Sequence, residues 1–188
     1  MKDHLPIAYS VAATACCISL AYGRPALPVS RHPDRQYADF ASFWPLYVQQ
    51  HAQPSTKLIH ACGTSCAMGI LALVVGGNAF VRIALGVLTG ASISLMLVDC
   101  TASLATGLTE ALIFLALLAV CCRAYAGLAV PQLIGILAVG YAFAWFSHVF
   151  VEGNRPATFL HPTFSFIADF QLLWLLVTSQ LALDATAA

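Results

Sequence analysis

Ionisable side chains stand at the ends of the most apolar parts of this chain, where their placement is costly. His148 and Glu152 close a long apolar run that begins near Val130, and His51 and His60 flank the start of another. On an α-helix, residues four apart such as His148 and Glu152 share one face. Imidazole with carboxylate suits iron, zinc or manganese better than calcium or magnesium. Two histidines and one carboxylate are typical of non-haem Fe(II) oxygenases.

The residue types alone leave more than one interpretation open. These groups bind a redox metal in an enzyme, or the chain is a non-enzymatic integral membrane protein with structural histidines that pack and form hydrogen bonds. A carrier of metal ions or protons is a third class, which would need polar groups through the depth of the membrane. The middle of the apolar runs has almost none beyond serine, threonine and Glu110, which argues against a carrier.

The composition is typical of an integral membrane protein. Of the 188 residues, 60% are hydrophobic and 9% are charged, and the mean hydropathy is +0.84. Soluble domains carry about 25% charged residues. The formal net charge is zero, so the chain lacks the basic surface that nucleic-acid binding requires. The seven cysteines lie mostly in apolar runs, where they are expected to act as small hydrophobic residues.

The apolar runs predict an all-α, polytopic membrane helix bundle with about four spans and interfacial amphipathic helices at both ends. The spans are expected over residues 56–76, 80–98, 104–122 and 130–151. We divide the chain into an N-terminal apolar or targeting segment with its linker (residues 1–36), a membrane domain (37–183) and a tail (184–188). Whether the apolar residues 5–22 are cleaved or retained stays open.

The segment before the first span predicts an amphipathic helix over residues 37–51. Its aromatic residues recur at helical spacing on the same face as His51, so the His51 ring is expected to point inward. Pro45 either kinks this helix or lies in its first turn, with Ser42 as the N-cap.

The number of spans predicts that the histidines meet. Four spans return the chain to its starting side, so His51 and His60 are expected on the same membrane face as His148 and Glu152, at similar depth. More lysine and arginine residues flank this face than the opposite one. The positive-inside tendency therefore predicts that this face is cytoplasmic.

Polar residues after the fourth span have two interpretations each. Arg155 either clamps a substrate carboxylate through two hydrogen bonds or serves as a basic membrane anchor. Asn154 is a candidate cap for the helix end. The last helix, expected over residues 164–183, either spans or lies at the interface. It carries Asp169, which either supports the metal ligands or pairs with Arg155.

Two groups of residues resemble the two signatures of the Mpo-like family of membrane 2-hydroxy fatty acid dioxygenases. The first is FWPLY at residues 43–47, followed by His51 and by His60 within LIHACGT at 58–64. The second is GYAFAW at 140–145, followed by His148, Glu152 and NRPA at 154–157. The chain departs from the family at Ser147, where glycine is usual, and by two additional spans between the signatures.

The resemblance implies an Fe(II)-dependent dioxygenase of fatty acid α-oxidation, which shortens a 2-hydroxy fatty acid by one carbon with release of CO2. It implies that His51, His60 and His148 are iron ligands and that Glu152 is a ligand or supports one. Asn154 and Arg155 are the residues expected to bind the substrate. The implied partners are the lipid substrate and O2, in the degradation of phytosphingosine. The implied location is the endoplasmic reticulum membrane in a eukaryote, with the site facing the cytoplasm.

Overall fold

The computed structural model describes residues 15–75 and 77–183, without the side chains of residues 75, 77 and 78. These residues contain no strand. The helices are α1 (Phe40–Gln50), α2 (Pro54–Val75), α3 (Gly77–Leu97), α4 (Leu108–Ala126), α5 (Val130–Ser147) and α6 (Pro162–Val177). Residues 15–23 are also helical. Most of the predicted targeting segment, residue 76 and the tail over residues 184–188 lie outside the described residues.

Four helical stretches are long and apolar enough to cross a membrane: Pro54–Val74, Ala79–Thr101, Leu108–Ala126 and Val130–Glu152. They confirm the predicted all-α membrane bundle of about four spans. The third span begins later than predicted because a 3-10 turn and bends occupy the residues before Leu108. With 16 residues, α6 is about 24 Å long, shorter than a hydrocarbon core of about 30 Å. It packs against α1, α2, α3 and α4.

Small residues allow the spans to approach one another closely. In the structure α3 pairs with α4, and α2 pairs with α5. A Cβ atom at Gly86 would lie 2.9 Å from Cys122 Cα, and one at Gly63 would lie 2.6 Å from Phe143 Cβ. Close packing of this kind is a main source of helix association in lipid, where apolar surfaces gain little from mutual burial.

Helix α1 begins at Phe40 because Asp39 caps it. The Asp39 carboxylate accepts a hydrogen bond from the Ser42 backbone N–H at 2.8 Å. The expectation that Ser42 is the N-cap, with Pro45 in the first turn, is therefore wrong, and Pro45 lies inside the helix. The residue that ends the helix is His51, which is 1% exposed, so the prediction that its ring points inward is confirmed.

A buried arginine joins the N-terminal linker to the entry of α6. The Arg35 guanidinium donates to the carbonyls of Thr101 at 2.5 Å and Leu160 at 2.7 Å, and to the Glu110 carboxylate. The Asp99 carboxylate pairs with two further arginines of the linker. Because a buried ion pair is tolerated only when its polar atoms are satisfied, these bonds hold the linker, the α3–α4 connection and the start of α6 together.

Candidate metal centre

Three histidines lie near helix ends on one side of the bundle. His51 is the residue that ends α1, and His60 lies in the second turn of α2. His148 is the first residue of a π-helical turn, His148–Glu152, that ends α5. Gly153 stops this turn in the left-handed conformation at φ 67°, which glycine adopts without steric cost. Single π turns inside longer helices occur frequently at functional sites.

The three imidazole rings meet at one point. The ring centroids of His51 and His60 are 4.3 Å apart, those of His51 and His148 are 4.8 Å apart, and those of His60 and His148 are 5.2 Å apart. One nitrogen from each ring lies within 4.8 Å of the others, and all three residues are buried. The prediction that an even number of spans brings these histidines together is therefore confirmed.

Each ring is oriented by an oxygen acceptor at its Nδ1 atom. For His51 this is the Tyr47 carbonyl at 2.6 Å, and for His60 it is an Asp169 carboxylate oxygen at 2.9 Å. For His148 it is the Asn154 side-chain oxygen at 2.6 Å. A carbonyl oxygen can only accept a hydrogen bond, so the His51 proton lies on Nδ1.

The Asn154 amide is oriented by its own partner, which fixes the tautomer of His148. The Asn154 Nδ2 group donates to the Gln50 carbonyl at 2.9 Å, so the amide oxygen faces His148. Asn154 thereby links the end of α5 to the end of α1. Both polar ends of its side chain contact protein groups, so its role in the structure is to orient His148.

In the neutral form with the proton on Nδ1, each ring directs an Nε2 lone pair to the common centre. The Nε2 atoms of His51 and His60 are 3.1 Å apart, a separation at which two imidazoles can bind the same metal ion. Burial, and then the neighbouring His60, hold the pKa of His51 well below its usual value. His51 is therefore neutral at physiological pH, the form in which imidazole binds a metal.

A carboxylate that the spacing did not single out lies behind His60. One Asp169 oxygen accepts from both His60 Nδ1 and the Tyr47 hydroxyl. Burial, and then the Asp169 charge, raise the pKa of Tyr47 well above its usual value, so Tyr47 stays a hydrogen-bond donor. The sequence placed Tyr47 on an aromatic face without a role. The only feature of the sequence that could have indicated this role of Tyr47 is a hydroxyl group four residues before His51, on the face expected to be buried.

The structure does not bring the remaining predicted site residues to the histidines. The Glu152 carboxylate accepts a hydrogen bond from the Gln53 backbone N–H, in the turn between α1 and α2, at 2.7 Å. The alternative that Asp169 pairs with Arg155 is wrong, because Asp169 is bound by other groups. The exposed Arg155 guanidinium instead lies 5.0 Å from the centre of the Phe159 ring.

Two cavities adjoin the histidine cluster and share two lining residues, Tyr141 and Asp169. The first has an empty volume of about 300 Å³ and is lined by the three histidines. The second has an empty volume of about 720 Å³, including space open to the surroundings. It lies among the five helices α2 to α6, and its lining is almost entirely apolar. A polar cluster thus stands at one end of an apolar chamber inside the bundle.

The relationship to known proteins agrees with this geometry. No curated protein and no solved structure matches the chain. Residues 37–181 match the family model described as "2-hydroxy-palmitic acid dioxygenase Mpo1-like". This range contains α1 to α6, the three clustered histidines and the carboxylate behind them. Because the match covers most of its length, the chain belongs to the Mpo1-like family.

Proposed function

We propose that this protein is an Fe(II)-dependent dioxygenase that shortens 2-hydroxy fatty acids by one carbon. The observation that carries the proposal is the convergence of three buried Nε2 atoms, each on a ring whose Nδ1 atom faces an oxygen. A family whose name denotes 2-hydroxy-palmitic acid dioxygenases supports the reaction class.

The donor set fits a first-row metal. His51, His60 and His148 would bind it through Nε2, and the Asp169 carboxylate behind His60 would raise the basicity of that ligand, as outer carboxylates do at metal sites. In a structural role the Nε2 atoms of His51 and His60 would share a hydrogen bond instead of a metal ion, and the metal analysis below separates the two. In our proposal Glu152 acts on the fold, by binding the α1–α2 turn at Gln53.

When bound, Fe(II) supplies the redox chemistry that O2 needs to react with an organic acid. The reaction consumes one 2-hydroxy acid and one O2 and releases the acid shortened by one carbon, one CO2 and one water. The reaction balances without another reductant, because the four electrons that O2 accepts come from the carboxyl carbon and the 2-hydroxy carbon of the substrate. The cluster is buried, so the site excludes bulk water during this step.

The apolar chamber suits the acyl tail of such a substrate. Its lining is almost entirely apolar, as is usual for the pockets of apolar ligands. The tail would lie among α2 to α6, and the polar head would pass Tyr141 and Asp169 to reach the histidines. Keeping the tail in apolar surroundings avoids a cost of about 0.8 kcal/mol for each CH2 group exposed to water.

The cellular setting follows from the same proposal. The basic residues near the histidine side favour a cytoplasmic site, and in a eukaryote the membrane would be that of the endoplasmic reticulum. There the reaction would serve the degradation of phytosphingosine, which yields 2-hydroxy acids.

The test combines metal analysis with product analysis. Protein purified under nitrogen and loaded with Fe(II) should bind iron, and aerobic incubation with 2-hydroxypalmitate should yield pentadecanoic acid and CO2. The His51→Ala and His148→Ala variants should lose both properties. His32→Ala is the matched control, because His32 lies in the linker and contacts Asp34 outside the cluster. Unchanged iron content in both cluster variants would refute the ligand assignment, and bound iron without product would refute the reaction.

A further inference from the structure

The cavity beside the histidines is lined by a fully buried hydroxyl group that forms no hydrogen bond with the described residues. Ser165 lies in the first turn of α6, is 7% exposed and lines the same cavity as His51, His60 and His148. Among the described residues, its Oγ atom has no hydrogen-bond partner. Buried polar atoms are nearly always paired, so one that is not calls for an explanation.

Local backbone bonding does not supply that explanation. Serine and threonine in helices commonly donate to a carbonyl three or four residues earlier. Ser147 donates to the Ala144 carbonyl at 2.7 Å, and Thr178 donates to the Trp174 carbonyl at 2.7 Å. Ser165 makes no such bond, although it also lies in a helix. Its hydroxyl therefore keeps both its donor and its acceptor capacity for something in the cavity.

The other unpaired buried side-chain atoms of the described chain lie elsewhere. They belong to Gln50, Thr56 and His161, none of which lines either cavity. Asp169 lies four residues after Ser165, so the two side chains lie on one face of α6. That face carries the carboxylate that orients His60 and the hydroxyl that has no partner.

The chemistry of the cavity lining indicates what the hydroxyl binds. Among the described residues that line it, none is lysine or arginine, so a substrate carboxylate finds no side-chain cation there. The Tyr47 hydroxyl donates to Asp169 and is not available to a ligand. Ser165 is thus a neutral donor that remains available, and donation to an ionised acceptor is stronger than donation to a neutral one.

We infer that Ser165 is a substrate-positioning residue whose hydroxyl donates to the carboxylate of the fatty acid in the histidine cavity. This inference rests on the proposed function, since it takes the ligand to be a fatty acid. It adds a recognition element for the acid group that is separate from the metal ligands, and it gives a partner to a hydroxyl that has none among the described residues.

The experiment measures equilibrium binding of radiolabelled 2-hydroxypalmitate and palmitate to the iron-loaded protein in detergent under nitrogen, so that no turnover occurs. Ser165→Ala should weaken the binding of both acids about tenfold, equivalent to about 1.4 kcal/mol, because both carry the carboxylate. Ser165→Thr keeps the hydroxyl and should restore most of the affinity. Iron content should be unchanged in both variants.

Thermal unfolding without ligand separates positioning from a structural role. Ser165→Ala removes an unpaired group, so its unfolding midpoint should equal or exceed that of the wild type. Ser94→Ala is the matched control, because it removes a buried hydroxyl that bonds to Thr163 Oγ1 at 2.8 Å away from both cavities. It should lower the midpoint and leave the affinity for both acids unchanged.

Three results would overturn the inference alone. The first is wild-type affinity for both acids in the Ser165→Ala variant. The second is weaker binding of the 2-hydroxy acid alone in this variant, which would assign the contact to the 2-hydroxyl group. The third is an unfolding midpoint of the Ser165→Ala variant below that of the wild type. Absence of any fatty acid binding by the iron-loaded wild-type protein would instead refute the proposed function, and the inference with it.

Discussion

Replacing Asp169 with asparagine tests whether the carboxylate behind His60 contributes to metal binding. One Asp169 oxygen accepts from His60 Nδ1 at 2.9 Å and from the Tyr47 hydroxyl. An asparagine side chain has nearly the same size and retains one acceptor oxygen, but it carries no charge. The Asp169→Asn variant should therefore keep the packing of α6 against α1 and α2 while it makes His60 Nε2 a weaker ligand.

The size of the effect follows from the two kinds of hydrogen bond. A bond to a charged group contributes about 1.5–3 kcal/mol, and one between neutral groups about 0.5–1.5 kcal/mol. The difference of about 1–1.5 kcal/mol corresponds to roughly tenfold weaker Fe(II) binding. This is the lower end of the 10- to 100-fold range for loss of an outer-shell partner. The lower end is expected because the Asp169 side chain is 24% exposed and solvent screens part of its charge.

The assay is competition for Fe(II) between the protein and a chromophoric chelator under nitrogen. Asp39→Asn is the matched control, because Asp39 caps α1 away from the cluster and asparagine caps a helix about as well as aspartate. Its Fe(II) affinity should equal that of the wild type. If Asp169→Asn binds Fe(II) as tightly as the wild type while His51→Ala does not bind it, the carboxylate has no influence through His60 and the reasoning is refuted.

Three further predictions follow from other parts of the structure. Asn154→Ala removes the acceptor of His148 Nδ1 and the link to Gln50, so Fe(II) affinity should fall roughly 10- to 100-fold; unchanged chelator competition would contradict this. Leu71→Trp narrows the apolar chamber at the end far from the histidines, so KM for 2-hydroxypalmitate should rise about tenfold while KM for 2-hydroxyoctanoate stays constant; equal changes for both would contradict placement of the tail there. His161 is 2% exposed, its nitrogens have no partner among the described residues, and burial with nearby Arg35 and Arg31 lowers its pKa to about 4. Because the unfolded chain binds that proton near pH 6.5, the free energy of unfolding should fall by up to about 3 kcal/mol as the pH drops from 6.5 to 4. The His161→Phe variant, whose ring fits among Tyr37, Phe43 and Phe164, should lose this pH-dependent fall. The same pH dependence of thermal unfolding in the variant and the wild type would contradict the prediction.

The sequence predicts the spans and the meeting of the histidines for a simple reason. A span needs about 20 apolar residues, and such runs are visible without knowledge of packing. An even number of spans between His60 and His148 places both on one membrane face whatever the angles between the helices. The bounds at α4 were not predictable in this way, because the 3-10 turn Val98–Thr101 and the bends that follow depend on contacts with the distant Arg35.

The choice between the two carboxylates was beyond the sequence, because it depends on tertiary contacts that spacing does not reveal. The spacing indicates Glu152, but its carboxylate accepts a hydrogen bond from the Gln53 backbone N–H. Asp169 is 109 positions from His60, and it reaches that ring because α6 packs against both α1 and α2. The entry of α6 is itself held by the bond from Arg35 to the Leu160 carbonyl. The orientation of His60 thus depends on a linker arginine, Arg35, that lies outside the residue range matched by the family model. A substitution of Arg35 should therefore affect the metal site by shifting α6, and not through the charge of the guanidinium group.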